Sequence, residues 1–169
     1  MARFDDVKAT FWDEGPHGAG ASLTDAVVRD AEQRLGVRLP VALLELLRVR
    51  DGGVVAAAWD AYPTAEPTSW SDDHVPFDVL MGIGEDDDRL SVLDSPYLIE
   101  EWGLPSPLVL LSGDGHTWIA LDYRTCGTDG EPSVTWFDVE AGSELPLAGD
   151  FRTFVEGLTP AASFDDGQD

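Results

Sequence analysis

The periodicity of the apolar residues changes at Asp51-Gly52-Gly53, and that change limits the class of fold open to the chain. Before it, apolar side chains recur at helical spacing. Ser22-Leu23-Thr24-Asp25 offers a capping hydroxyl and an acid for the positive end of a helix dipole. Val28, Ala31 and Leu35 then share one face, and Gly36 stops the helix. A second helix begins at Leu39-Pro40, where proline is tolerated in a first turn, and runs through Leu43, Leu44, Leu46 and Leu47. The two read as a helical hairpin with solvated Arg29, Arg34, Arg38, Arg48 and Arg50.

After the break the apolar runs are short and separated by Gly, Pro and Asp clusters, the pattern of strands and turns. Val54 to Tyr62 reads as the first strand, Pro63 to Pro76 as a long loop, and Phe77 to Ile83 as the next strand. A short helix opens at Ser95-Pro96 and stops at Gly103. Leu108–Leu111, Trp118–Asp122 and Val134–Val139 follow with connections tight enough for antiparallel hairpins. Asp150 can cap a last helix carrying Phe151, Phe154, Val155 and Leu158. The expected fold is therefore α+β, a mainly antiparallel sheet flanked by helices, with an N-terminal helical hairpin and a C-terminal helix. Residues 1–21 are expected to be an extension without a regular element, from which Phe11 and Trp12 can still dock. Residues 22–158 are expected to form one domain, and 159–169 an acidic, mobile tail.

Charge narrows the function. Residues 1–50 carry seven Lys and Arg against eight Asp and Glu, whereas residues 51–169 carry three against 25, so −22 of the formal −23 lies after the break. Such a field repels nucleic acid and favours cationic partners. Six Trp, seven Phe and three Tyr in 169 residues argue for a packed core rather than a disordered acidic chain. Cys126 is the single cysteine, which excludes an intrachain disulfide and fits a reducing cytoplasm. No secretory signal pattern begins the chain, and no apolar run reaches the roughly 18 residues of a membrane span.

Catalytic and metal signals are weak. The acid run Glu85-Asp86-Asp87-Asp88, with Asp72 and Asp73, lacks the spaced ligand pattern of a calcium loop and reads as solvated. His17, His74 and His116 stand apart in turn-like surroundings. Ser112, His116 and Asp122, or Cys126 and His116, could supply a nucleophile and base, but proximity among 33 acids is expected by chance. Gly113-Asp114-Gly115-His116 is no nucleophile elbow, and Gly82-Ile83-Gly84 has neither a following helix nor a third glycine. Among the aromatics, Trp118, Tyr123, Trp136 and Phe137 read as core. Trp70, between Ser69 and Ser71 in an acidic loop, is either folded back on the core or an interface anchor.

Asp30-Ala31-Glu32-Gln33-Arg34-Leu35-Gly36-Val37-Arg38-Leu39-Pro40, running into Leu43-Leu44-Glu45-Leu46-Leu47 and Asp51-Gly52-Gly53, resembles the opening signature of the SUKH superfamily, the SMI1/KNR4 family. Ser112-Gly113-Asp114-Gly115, Ile119-Ala120-Leu121-Asp122-Tyr123-Arg124, Pro132-Ser133-Val134 and Phe151 to Leu158 follow that family's order. The resemblance implies an α+β domain without shared catalytic residues or a cofactor. Its bacterial members look like cytoplasmic immunity proteins that bind and neutralise a cognate polymorphic or contact-dependent toxin. With the charge, this gives the expectation of a basic toxin domain as partner, a nuclease by preference, contacted by Trp70, Asp72, Asp73, Glu85, Asp86, Asp87 and Asp88. Neither direct nucleic-acid binding nor membrane contact is expected, and the oligomeric state stays open. A scaffold or regulatory module of the same fold, and a carboxylate-based metal-dependent hydrolase, are the alternatives.

Overall fold

Phe4, Val7 and Phe11 lie three and four residues apart, and all three are buried. A computed structural model, which describes residues 3–13, 23–68, 71–83, 91–113 and 116–164, accordingly places a helix, α1 (Phe4–Thr10), where no regular element is expected. The periodic signal is only two turns long and runs directly into a Gly-Pro-rich stretch, which masks it. A Glu156 carboxylate accepts the Phe4 N–H at 3.0 Å, and the Arg152 guanidinium lies 5.4 Å from the Phe4 ring centre.

The two expected helices follow as α2 (Asp25–Leu35) and α3 (Val41–Val49). Thr24 caps α2 by accepting the Val27 N–H at 3.2 Å, and Gly36 closes it at φ 72°, a left-handed conformation costly for any side chain. Arg48 donates to Asp25 at 2.8 Å and so ties the end of α3 to the start of α2. The Glu32 carboxylate accepts the Leu39 N–H at the turn between them. Ala42, Leu43, Leu46 and Leu47 form the buried stripe of α3.

The single strand expected over Val54 to Tyr62 is two strands, β1 (Gly53–Val54) and β2 (Ala61–Pro63). Three consecutive alanines offer no alternation to hold a ladder, and the chain turns where Trp59 donates to the Ala56 carbonyl. The expected loop over Pro63 to Pro76 is likewise shorter, because β3 (His74–Pro76) pairs antiparallel with β2. From the Phe77–Ile83 segment only β4 (Val79–Leu80) is regular, paired with β1. Met81 then donates to the Leu111 carbonyl and joins this ribbon to the main sheet.

After a 3-10 turn at Val92–Asp94, α4 (Ser95–Trp102) ends at Gly103 with φ 69°. The main sheet is an antiparallel meander of β5 (Leu108–Gly113), β6 (Thr117–Asp122), β7 (Ser133–Asp138) and β8 (Ser143–Ala148). Its first three strands match the expected ones, but β8 carries no sequence signal: its side chains are exposed or half-buried and it contains Pro146. Proline is tolerated there because β8 is an edge strand, and the β7–β8 register shifts beside it between Val134 and Thr135.

Asp150 caps α5 (Phe151–Glu156) by accepting the Thr153 N–H at 2.7 Å. Phe154 stacks on Tyr62 at 4.7 Å and meets Phe77 edge-on at 4.9 Å, so α5 locks the β2–β3 ribbon to the core. The expected tail is docked as far as Phe164. Thr159 and Ala61 exchange both backbone hydrogen bonds, the Asp60 carboxylate accepts the Ala161 N–H, and Ala161–Phe164 forms a 3-10 turn. Backbone pairing and an aromatic contact hold this segment, neither of which its polar composition suggests.

Candidate partner-binding surface

Of the seven expected contacts, Asp72 and Asp73 lie within the described residues; Trp70, Glu85, Asp86, Asp87 and Asp88 fall outside them. Asp72 and Asp73 are exposed where the chain returns into β3. Thr64 donates its N–H to the Asp73 carbonyl at 2.8 Å, and Thr68 binds Ser71 through both backbone and hydroxyl, so this end of the hairpin is well fixed. The Asp73 carboxylate reaches the His74 ring at 2.6 Å, and the Ser71 hydroxyl lies 3.1 Å from Asp73. The hydrogen bond from His74 leads in holding the Asp73 carboxyl below the ordinary aspartate range, so it remains a full negative charge at neutral pH.

The acid run is attached elsewhere. Its flanks, Ile83 and Ser91, are clamped together: the Ser91 hydroxyl donates towards the Gly82 and Ile83 carbonyls at 3.0 and 3.1 Å, and Val92 donates to Gly82. The Asp51 carboxylate accepts the Ile83 N–H at 2.7 Å and fastens this clamp to the end of α3. Backbones touch there, since a Cβ on Gly52 would lie 2.6 Å from the Gly82 nitrogen. Asp72 and Asp73 thus lie beside the β2–β3 ribbon, whereas Ile83 and Ser91, the described residues on either side of the acid run, are fastened next to β1–β4.

Few cations offset the carboxylates. Beyond residue 50 the sequence holds Arg89, Arg124 and Arg152, and the two within the described residues are engaged locally. Arg152 faces Glu156, while Arg124 grips Asp122 at 2.8 Å and also bonds Glu144. Burial works to raise the Asp122 carboxyl, but the Arg124 guanidinium, its backbone N–H and the Thr135 hydroxyl outweigh it and bring the group below its ordinary range. Glu131 shows the cost of crowding: desolvation and then the Asp150 charge push its carboxyl upward. Exposed Glu66, Asp72, Asp78, Glu100, Glu101 and Asp129 add to an unneutralised negative surface.

The candidate catalytic groups are not assembled. His116 is exposed and pairs with Glu140 at 2.9 Å, Ser112 is buried in β5, and Asp122 belongs to Arg124. Burial foremost raises the Cys126 thiol, the opposite of what a nucleophile needs. Ser71, Asp73 and His74 resemble a triad in composition only, because hydroxyl and carboxylate both approach Nδ1 and no relay through the ring follows. Among the described residues, no group of three His, Cys, Asp or Glu could hold a metal ion. A groove of about 650 Å³ is lined by Arg29, Glu32, Arg38 and Asp129, a mixture of signs that does not extend the acidic surface.

His74 is the residue whose surroundings the sequence misplaces. It reads as a surface or turn histidine, yet it is 9% exposed, and its ring stacks on Phe164 at 4.0 Å with 5° between planes. Alternation in His74-Val75-Pro76-Phe77 turns Val75 and Phe77 inward and would leave His74 outside; the Phe164 ring, distant in sequence, is what covers it. His116 is indeed exposed, and His17 lies outside the described residues.

No described helix is long and apolar enough to cross a membrane. No curated protein matches the chain. The family model described as SMI1 / KNR4 family (SUKH-1) matches residues 22–157, from the capping segment of α2 to the end of α5. The chain belongs to the SMI1/KNR4 family, SUKH-1.

Proposed function

We propose that this protein is a non-catalytic, cytoplasmic immunity protein that binds a cognate bacterial toxin domain and covers its basic substrate surface, a nuclease being the toxin class that best fits the charge. The observation that carries the proposal is the excess of 25 acids over three bases beyond residue 50, on a family fold whose two described bases there are already engaged. A nuclease needs a cationic groove for phosphates, and a folded polyanion competes for the same groove. Trp70 serves as the central anchor, and Asp72, Asp73, Glu85, Asp86, Asp87 and Asp88 as rim charges that speed association. The bond from Thr64 to Asp73 supports this role for Asp72 and Asp73, and the Asp51–Ile83 bond holds the described residue that precedes the acid run. Replacing the six acids by their amides is expected to slow association with the toxin and flatten its salt dependence, with dissociation changed less. Association kinetics equal to wild type at every salt concentration would place the interface elsewhere.

A further inference from the structure

We propose that the outer face of α4, formed by Tyr97, Glu100 and Glu101, grips an arginine-bearing surface of a basic protein partner; this rests on the toxin-binding reading and adds a second contact region to it. Tyr97 is 65% exposed, and it is the only large aromatic among the exposed hydrophobic residues described. Leu98 is buried and Ile99 and Trp102 are half-buried, so the inner side of the helix already does the packing. Tyr97, Glu100 and Glu101 stand at positions i, i+3 and i+4, which places them on one face.

The two glutamates are badly placed for stability. They occupy the last turn of α4, at the negative end of the helix dipole, and that turn holds no basic residue. The helix needs neither as a cap, since the Gly103 N–H already bonds the Ile99 carbonyl. Adjacent like charges against the dipole, beside a solvated aromatic ring, instead form a receptor for a planar cation. A guanidinium can lie over the Tyr97 ring while donating two N–H groups to a neighbouring carboxylate, a combination that a lysine ammonium satisfies less well. Tyrosine and arginine are both enriched where interfaces concentrate their binding energy. Nucleic acid is repelled by this face. A second copy of the chain would bring its own −23 with it, which leaves a foreign basic protein as the occupant.

The test has two arms. In the first, the labelled protein is titrated with arginine amide and with lysine amide while backbone amide signals are followed. Arginine amide is expected to shift residues 97–103 more than exposed acids elsewhere, such as Glu66 and Asp129, and Tyr97→Ala should remove that preference. Equal shifts at all carboxylates for both probes would overturn the proposal. In the second arm, Tyr97→Ala and the double variant Glu100→Gln/Glu101→Gln are measured against a candidate basic toxin domain sought in the adjacent reading frames. The double variant is expected to melt no lower than wild type, while each loses about tenfold or more in affinity. A domain that binds wild type and both variants within twofold would remove this face and leave the toxin reading intact. A domain that never binds wild type would remove the toxin reading, and the arginine-amide arm would still decide the face. A concentration-dependent dimer abolished by Tyr97→Ala would assign the face to a second copy and overturn the proposal.

Discussion

The ring of Phe164 lies flat on that of His74, 4.0 Å between centres and 5° between planes, and this contact seats the C-terminal segment against the strand that follows Asp72-Asp73. Behind it, Ala61 and Thr159 form a single antiparallel bridge beside β2. Phe164→Ala is expected to cost about 1 kcal/mol of stability, the scale of a lost aromatic pair. Amide exchange at Ala61 and Thr159 should accelerate well before global unfolding, as local opening of a weakly held segment requires. Unchanged exchange at both amides would show that the backbone pair holds without the ring.

Arg124 is predicted to matter through Asp122. Removing the guanidinium with Arg124→Met leaves a carboxylate that is 6% exposed without its main partner, at a cost of about 1–3 kcal/mol at pH 7. The sign of the pH dependence follows from the lowered Asp122 carboxyl. An unfolded Asp titrates near 3.9, so on acidification the unfolded chain takes up this proton before the folded one. The contribution is therefore present above about pH 5 and lost as pH falls through the unfolded value towards the folded one. The stability gap between wild type and Arg124→Met should narrow from pH 7 to pH 3; a constant gap, in chemical denaturation at each pH, would refute the coupling.

Salt should stabilise the free protein. Exposed carboxylates after residue 50 greatly outnumber bases, and the Asp150 charge adds to the desolvation that raises the Glu131 carboxyl. Screening over about 8 Å at physiological ionic strength relieves that repulsion, while the engaged pairs at Arg124 and Arg152 lose little. The melting temperature is expected to rise between low and moderate salt. A flat or falling trend would mean that ion pairing outweighs repulsion.

The long periodic segments were legible in the sequence, and the reason is physical. Helices α2, α3 and α5 carry both a repeating apolar face and a start signal, a capping Thr24 or Asp150 or the proline Pro40, and strands β5 to β7 are apolar runs bounded by turns. What escaped was structure decided by distant partners. Helix α1 is two turns long and owes its place to Glu156 and Arg152, some 150 positions later. The β8 strand has an exposed or half-buried face and a proline, and pairing with β7 alone makes it a strand. The burial of His74 depends on Phe164, which nothing local to the histidine foretells. For the candidate surface, the acids could be read directly from the sequence. Their separate roots could not, because the Asp51–Ile83 and Ser91–Gly82 bonds join residues that local pattern does not connect.

The most direct test of the central claim is inhibition of the toxin by the pure protein. A candidate toxin domain, sought in the reading frames adjacent to this gene, is assayed for cleavage of nucleic acid while the protein is added stepwise at physiological salt. Cleavage is predicted to stop near one equivalent, with nucleic acid in excess competing the protein away as expected for a shared cationic groove. Cleavage that continues unchanged in the presence of excess protein, with no complex formed even at low salt, would contradict the account.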